Sequence, residues 1–320
     1  MIEVLDPGPL ALVEDLGRPG LGAMGVGCSG AADGDSFRLA NRLVGNHEGA
    51  AAVEFLLGGL AVRFRRTATV ALTGAPADAR VGGGAGGEGR GRGAAFNAPF
   101  SVRAGESLRV GRPASGLRSY LAVRGGIGVP PVLGSRSWDS LARIGPPPLR
   151  AGDLLPIGSG HDGEPVVDVA PVAEPAGGVA TLRVLPGPRS EWFAPDALDT
   201  LFATPYEVTA ESDRVGLRLA GAPLAAAAPG AAELAPEGMV TGALQVPPSG
   251  RPVLFLADHP VTGGYPVVGV VLTADLPLAA QLRPGDELRF RPTSHPAAAG
   301  PPGGPVAAAS AARWRRPRRG

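Results

Sequence analysis

Residues 242–290 read GALQVPPSGRPVLFLADHPVTGGYPVVGVVLTADLPLAAQLRPGDELRF, and this stretch sets the character of the whole chain. Residues 254–257 form an apolar run that predicts a buried strand, and residues 267–272 form a second. Between them lie Asp258, His259, Pro260, Thr262, Gly263, Gly264, Tyr265 and Pro266. The two prolines fix φ on either side, and the paired glycines admit backbone conformations that a Cβ forbids. A strand, an irregular turn and a strand are therefore expected, with Asp, His, Thr and Tyr at the mouth of a sheet. Gln245 and Gln281 put neutral amides at the other ends of the same strands. The same letters also describe a tight hairpin whose polar groups satisfy only its own backbone, and the residues alone leave both readings open.

Composition narrows the choice of fold. The chain has 320 residues, room for two domains of ordinary size. Gly (50) and Pro (35) exceed a quarter of it, yet 44% of the residues are hydrophobic, so many short strands joined by Gly/Pro turns are expected rather than disorder. Aromatics are scarce at 5%, which leaves Val, Leu and Ala to fill the cores.

Charge excludes several functions. Net charge is +1 with the basic residues spread through the body, so there is no nucleic-acid footprint. Arg313, Arg315, Arg316, Arg318 and Arg319 end an Ala/Pro/Gly-rich stretch and read as a solvated, disordered tail. All 30 basic residues are arginine. Without lysine there is no P-loop, no Schiff base and no amine for covalent biotin or lipoyl, so any biotin arrives on another chain. Cys28 is the single cysteine, which excludes internal disulfides and a thiolate cluster. No metal-ligand spacing is visible. With no basic n-region and no long apolar run, a soluble cytoplasmic protein without membrane contact is expected.

Along the chain, short strands are expected near residues 2–5, 10–13, 52–57, 60–64, 69–72, 100–102, 108–110 and 119–123. A helix is expected over 31–44, capped by Asp33 or Asp35 and stopped at Gly45-Asn46. Asn41, near its end, reads either as a cap or as a ligand contact. Residues 82–93 are a Gly-rich surface loop. Strands resume at 181–185 and 206–209, with a short helix over 192–202 between them. A small repeat recurs at Arg103-Ala-Gly-Glu, Arg150-Ala-Gly-Asp and Arg283-Pro-Gly-Asp, each a Gly-acid turn ahead of an apolar strand. Its presence in both halves suggests two related barrels: 1–165, a linker at 166–179, a second half at 180–292 and a tail at 293–320.

Several segments in order resemble one family across nearly the whole ordered length. They are DLGRPG at 15–20, GAADGDSFRLANRLVGN at 30–46, Val53-Glu54, RGGI at 124–127 and GSRS at 134–137. PGPR at 186–189, SDRVGLRL at 212–219, ALQVPPSGRP at 243–252, ADHPVTGGYP at 257–266 and AQLRPGDELRF at 280–290 complete the set. The chain is similar to the family of the 5-oxoprolinase C subunit, also described as KipA-like, allophanate hydrolase subunit 2-like or biotin-dependent carboxyltransferase. The resemblance implies a mainly β fold of two cyclophilin-like β-barrel halves with a few short helices. It also implies partner chains, a KipI-like B subunit and a LamB/YcsF-like A subunit, in a complex that uses ATP to hydrolyse 5-oxoproline to glutamate. Two other roles go with the family: a carboxyltransferase chain moving a carboxyl group from carboxybiotin to urea, and a non-catalytic KipA-like regulator that binds a KipI-like kinase inhibitor. Two departures stand out. Trp138 follows GSRS where Thr is usual, and Asp258–His259–Pro260–Val261 replaces Asp-Arg-Gln-Thr, putting a titratable ring where a fixed cation often sits.

Either reaction needs a carboxylate or carboxylated intermediate held while charge builds on oxygen. Arg18, Arg136 and Arg214 suit that task, because the planar guanidinium binds carboxylate in a fork and stays charged. Gly263 and Gly264 offer backbone N–H groups as an oxyanion pocket. Asp258 and His259 are the acid/base pair, and Tyr265 is a donor. Asn41, Ser212, Gln245, Thr262 and Gln281 complete the expected substrate contacts. Asp213 and Arg214 can equally pair with each other at the surface.

Overall fold

The computed structural model describes residues 1–83, 91–172, 178–227 and 234–293. Parts of the Gly-rich loop at 82–93 and of the linker at 166–179, and nearly all of the tail at 293–320, lie outside the described residues.

The first half builds β1 (Ile2–Pro7), β2 (Ala11–Glu14), β3 (Ala52–Leu56), β4 (Leu60–Phe64), β5 (Ala68–Gly74) and β6 (Ala79–Gly82). It continues with β7 (Arg92–Gly93), β8 (Pro99–Val102), β9 (Ser107–Val110), β10 (Arg118–Val123) and β11 (Leu154–Leu155), and α1 (Gly34–Leu43) lies between β2 and β3. These strands pair as a six-stranded sheet, β11-β1-β4-β9-β6-β7, and a five-stranded sheet, β2-β3-β10-β5-β8. Val4, Val62 and Leu108 from the first share one core with Val13, Phe55 and Leu121 from the second. β10 is buried along its whole length, RSYLAV. Alternation explains it: Leu121 and Val123 face the shared core, while Tyr120 and Ala122 pack under Phe37, Ala40 and Leu43 of α1. Asp33 caps α1, accepting from the Ser36 amide at 3.0 Å, and Gly45 with φ of 72° follows its end.

The second half builds β12 (Ala180–Pro186), α2 (Ala197–Ala203), β13 (Tyr206–Val208), β14 (Gly216–Ala220) and β15 (Glu237–Gly238). Then come β16 (Ala243–Gln245), β17 (Val253–Phe255), β18 (Thr262–Gly263), β19 (Val267–Val271), α3 (Leu276–Ala280) and β20 (Glu287–Pro292). Seven of these strands close a barrel in the order β12-β19-β16-β17-β14-β13-β20, sealed by the parallel pairing of β12 with β20. Its interior is aliphatic, with Leu182, Val184, Leu217, Leu244, Leu254 and Leu288. Among the described residues hydrogen-bonded closure thus belongs to the second half; the first is two sheets around one core.

Two details differ from the sequence reading. β17 and β19 do not form a hairpin with each other: both pair with β16, which lies between them. The polar loop between them instead forms β18, which pairs with β15 as a separate ribbon. Helix α3 has no counterpart in the sequence reading; its Pro277 sits in the first turn, where the missing N–H is harmless.

The repeat is a shared turn. Gly105, Gly152 and Gly285 have φ of 87°, 93° and 89°. The following acid accepts the amide of the arginine three residues before it: Glu106 from Arg103 at 2.7 Å, Asp153 from Arg150 and Asp286 from Arg283 at 2.8 Å. Each turn delivers the chain into a strand. Among the described residues no helix is long and apolar enough to cross a membrane.

Candidate functional site

The two halves meet over a buried cluster of charge. Arg214, just before β14, is 3% exposed and turns inward from its polar turn. Its Nε donates to Asp258 Oδ2 at 2.8 Å, and its Nη2 to Gly30 O at 2.6 Å and Asp258 Oδ1 at 3.1 Å. Its Nη1 donates to Glu54 Oε1, and Glu14 Oε1 lies 3.4 Å from Nη2. Asp213 does not pair with it; the Asp213 carboxylate accepts from the amides of Val215 and Gly216. Asp258 also accepts from the hydroxyls of Ser29 and Ser140, both at 2.6 Å. Glu54 accepts from the Tyr120 hydroxyl at 2.7 Å and the Ala32 amide at 3.0 Å.

Gln281 closes the same interface with its full hydrogen-bonding capacity. Its Oε1 accepts from the amides of Leu117 and Arg118, and its Nε2 donates to Asp33 Oδ2 and Arg118 O, all between 2.7 and 2.9 Å. Arg118 reaches back to Ala280 O. Arg283, from the repeated turn, donates to the carbonyls of Pro113 and Gly116 at 2.9 and 2.5 Å.

Charge balance separates the three acids. Burial, the largest single influence, resists ionisation of Glu54 and Asp258, but Arg214 together with Arg118, the Ala32 amide and Tyr120 at Glu54, and with Ser140 and Ser29 at Asp258, outweighs it, so both fall below their ordinary values. Burial likewise raises Glu14; Arg214 opposes, but the charges of Glu54 and Asp258 add to the rise, and Glu14 sits well above its ordinary 4.5. Of the three acids, Glu14 is therefore the one that holds its proton most tightly. The native state holds the Glu14 proton more tightly than the unfolded chain, so stability falls as pH rises from about 4.5 until Glu14 ionises. Glu54 and Asp258 act at the other limb: their contribution is in place above 4.5 and 3.8 and is lost as pH falls below those values. Glu14→Gln should remove the Glu14 share of the falling limb, whose slope per group reaches about 1.4 kcal/mol per pH unit, and leave the share of Asp33, whose carboxyl burial also raises. Urea denaturation of both forms at pH 5 and pH 8 reads this directly, and parallel pH dependences would rule the protonated Glu14 out.

Around this cluster lies a loop surface. Asp15 gathers the GSRS segment, accepting from the hydroxyls of Ser135 and Ser137 and the amide of Arg136 at 2.6–2.7 Å. Arg18 packs beneath it at 2% exposure, donating from Nη2 to Ser137 O, while its Nε and Nη1 have no partner among the described residues. The Arg18 amide donates to Cys28 O, and a Cβ on neighbouring Gly27 would stand 3.4 Å from both Asp139 Oδ2 and His259 O. Residues 27–28 therefore join the Arg18 and His259 segments. His259 is half-buried and stacked on Phe255, with ring centroids 5.9 Å apart. Its Nδ1 lies 2.8 Å from Pro260 O; a carbonyl only accepts, so in the neutral ring the proton sits on Nδ1 and Nε2 is left as the base. Tyr265 is 37% exposed on the same loop.

The sequence-predicted residues thus fall into three groups. Arg18, Asp258, His259, Thr262, Gly263, Gly264, Tyr265 and Gln245 gather on or beside the 15–30 and 258–266 loops, with Gln245 Nε2 donating to Tyr265 O at 3.3 Å. Arg214 and Gln281 lie beneath as interface ties. The side chains of Asn41, Arg136 and Ser212 are engaged elsewhere. The Asn41 amide binds Ala50 O at 2.7 Å and accepts from Asn46, Arg136 Nε donates to Val129 O at 2.7 Å, and the Ser212 hydroxyl accepts the Arg218 amide at 3.0 Å. Sequence reasoning gave no role to Glu14, Asp15, Ser29, Arg118 or Tyr120. The available signal was a lone acid inside an apolar strand, as Glu54 is in β3; Glu14 ends β2 next to Asp15 and carries no such signal.

Residues 24–292 match the family described as carboxyltransferase domain, subdomain A and B. The chain is 36% identical over 293 residues to the C subunit of 5-oxoprolinase from Escherichia coli K12, covering 91% of this chain and 90% of that protein. Among solved structures, TTHA0988 superposes with a TM-score of 0.78 at 38% identity, covering 91% of this chain and 55% of that one. The K. lactis urea amidolyase superposes with a TM-score of 0.85 at 31% identity, covering 92% of this chain and 19% of that one. The chain therefore spans about half of TTHA0988 and about a fifth of the amidolyase.

Proposed function

Because the chain belongs to the family of carboxyltransferase domains, subdomains A and B, we propose that it serves as the C subunit of an ATP-dependent 5-oxoprolinase, acting with the A and B subunits to hydrolyse 5-oxoproline to glutamate. The observation that carries this reading is the orphaned Arg18 guanidinium beside the His259 loop. A buried cation with two unpartnered nitrogens is suited to a carboxylate, which 5-oxoproline bears. Arg18 anchors that carboxylate, His259 Nε2 takes a proton from the water that attacks the lactam carbonyl and passes it to the ring nitrogen as the C–N bond breaks, and the Tyr265 hydroxyl donates to the oxygen on which charge develops. Asp258 and Arg214 act as positioning residues: Asp258 ties Ser29 and Ser140, which border the site, to the second half. ATP is a substrate of the complex; without a lysine this chain does not reach it through a P-loop.

The higher structural likeness to urea amidolyase favours a second reading, carboxyl transfer from biotin carried on another chain. ATP-dependent glutamate release from 5-oxoproline, measured on the chain co-purified with its neighbouring A and B subunits, separates the two. Turnover that needs all three chains supports the first. An intact complex that releases no glutamate but carboxylates urea from carboxybiotin replaces it with the second.

A further inference from the structure

A cleft of about 370 Å³ lies at the opposite end of β10 from the interface between the halves. Arg118 opens that strand and reaches the second half; Arg124 follows its last residue, roughly 20 Å away at the rise of a strand. The cleft shares no residue with the Arg18 and His259 loops. Three segments line it: 66–69 entering β5, 124–125 after β10 and 158–161 after β11. Its floor is held close, since a Cβ on Gly125 or Gly158 would collide with the other's carbonyl oxygen.

The ionisable and hydroxyl side chains that line it present donors, and no carboxylate lines it. Arg66 is exposed, and its one hydrogen bond among the described residues is a long 3.5 Å one from Nη2 to Gly158 O. Arg124 is fixed, with Nη1 on Val44 O at 3.1 Å and Gly163 O at 2.6 Å and Nη2 on Glu164 at 2.7 Å, which leaves its Nε–H. Its Nη2 also lies 3.3 Å from His161 Nδ1. Arginine only donates, so Nδ1 accepts and the neutral ring carries its proton on Nε2 as a further donor. The hydroxyls of Thr69 and Ser159 have no partner among the described residues. Glu164 is 82% exposed, and such a surface pair offsets little of the Arg124 charge.

Donors converging from three segments, with two guanidinium groups and no acid, exclude a cation and leave a neutral ligand poorly matched. A carboxylate has two oxygens to offer; a phosphate has three or four and up to two charges, and the volume is at the small end of ligand sites. We propose that this cleft binds the phosphate group of a small ligand through Arg66, Thr69, Ser159 and His161, over a floor made positive by Arg124. This goes beyond the 5-oxoprolinase reading and stands independently of it.

The test is isothermal titration of the full chain with inorganic phosphate and, separately, with ATP, at fixed ionic strength. One saturable site is expected, weakened at least tenfold in Arg66→Gln and in Thr69→Val, with denaturation midpoints unchanged. Arg66 is exposed, so its replacement leaves the core intact. ATP binding more tightly than phosphate, with both lost in Arg66→Gln, supports the site and identifies a nucleotide as the source; equal affinities support it with free phosphate as the source. No saturable phosphate binding, or binding unchanged in both variants, overturns the proposal.

Discussion

Arg214→Ala is expected to cost about 3–5 kcal/mol of folding stability, a large part of the roughly 5–15 kcal/mol that holds a typical domain together. The reason is what remains behind. Glu54 and Asp258 are each no more than 2% exposed, and each relies on this guanidinium to stay ionised. Without it they must take up protons or remain as unpaired buried charges. Hydrogen bonds from Tyr120, Ser29 and Ser140 persist, but they do not replace the charge. Urea denaturation measures the loss, and a midpoint equal to that of the parent chain would contradict the ion cluster. Arg214→Ala combined with Asp258→Ala should cost less than the sum of the single changes, because the two groups interact directly.

Arg18→Met is expected to do the opposite: little change in stability and about a hundredfold loss of kcat/KM in the three-chain complex. Arg18 is as buried as Arg214, yet among the described residues only its Nη2 has an acceptor. Methionine fills much of the same volume and removes two nitrogens that lack partners, which offsets the one lost bond. The activity figure follows from one to two charge-assisted hydrogen bonds to substrate, each contributing about 1.5–3 kcal/mol. A variant that unfolds readily while the residual folded complex keeps full activity would make Arg18 a packing residue and remove the main support for the carboxylate site.

The contrast between these two arginines marks how far sequence reading reaches. Both were legible as anion-binding candidates, because each sits beside glycine or serine in a polar turn and arginine is the only basic residue type here. Their different surroundings were not. Arg214 meets Glu14 and Glu54, more than 150 positions earlier, and Arg18 lies under Ser137, 119 positions later. Local pattern fixes which face of a strand a side chain takes, but it carries no information about which distant strand stands opposite. Gln281 shows the same limit: it read as an amide at a strand end, and four hydrogen bonds to three residues of the first half make it a tie between halves.

By itself the sequence determined the elements that depend on near neighbours. The short strands, the Asp33 cap of α1 and the three Gly-acid turns follow from alternation, side chain-to-backbone bonds over three residues and positive φ, all of which are local. It also determined the family, because many short motifs in one order constrain the chain jointly. Only the tertiary structure decided that β16 separates β17 from β19, that closure belongs to the second half, and that Asp258 holds Arg214 beneath the surface. Strand pairing and buried charge are settled by groups far apart in the chain, whose energies depend on water being excluded between them, and that exclusion exists only once the chain has folded.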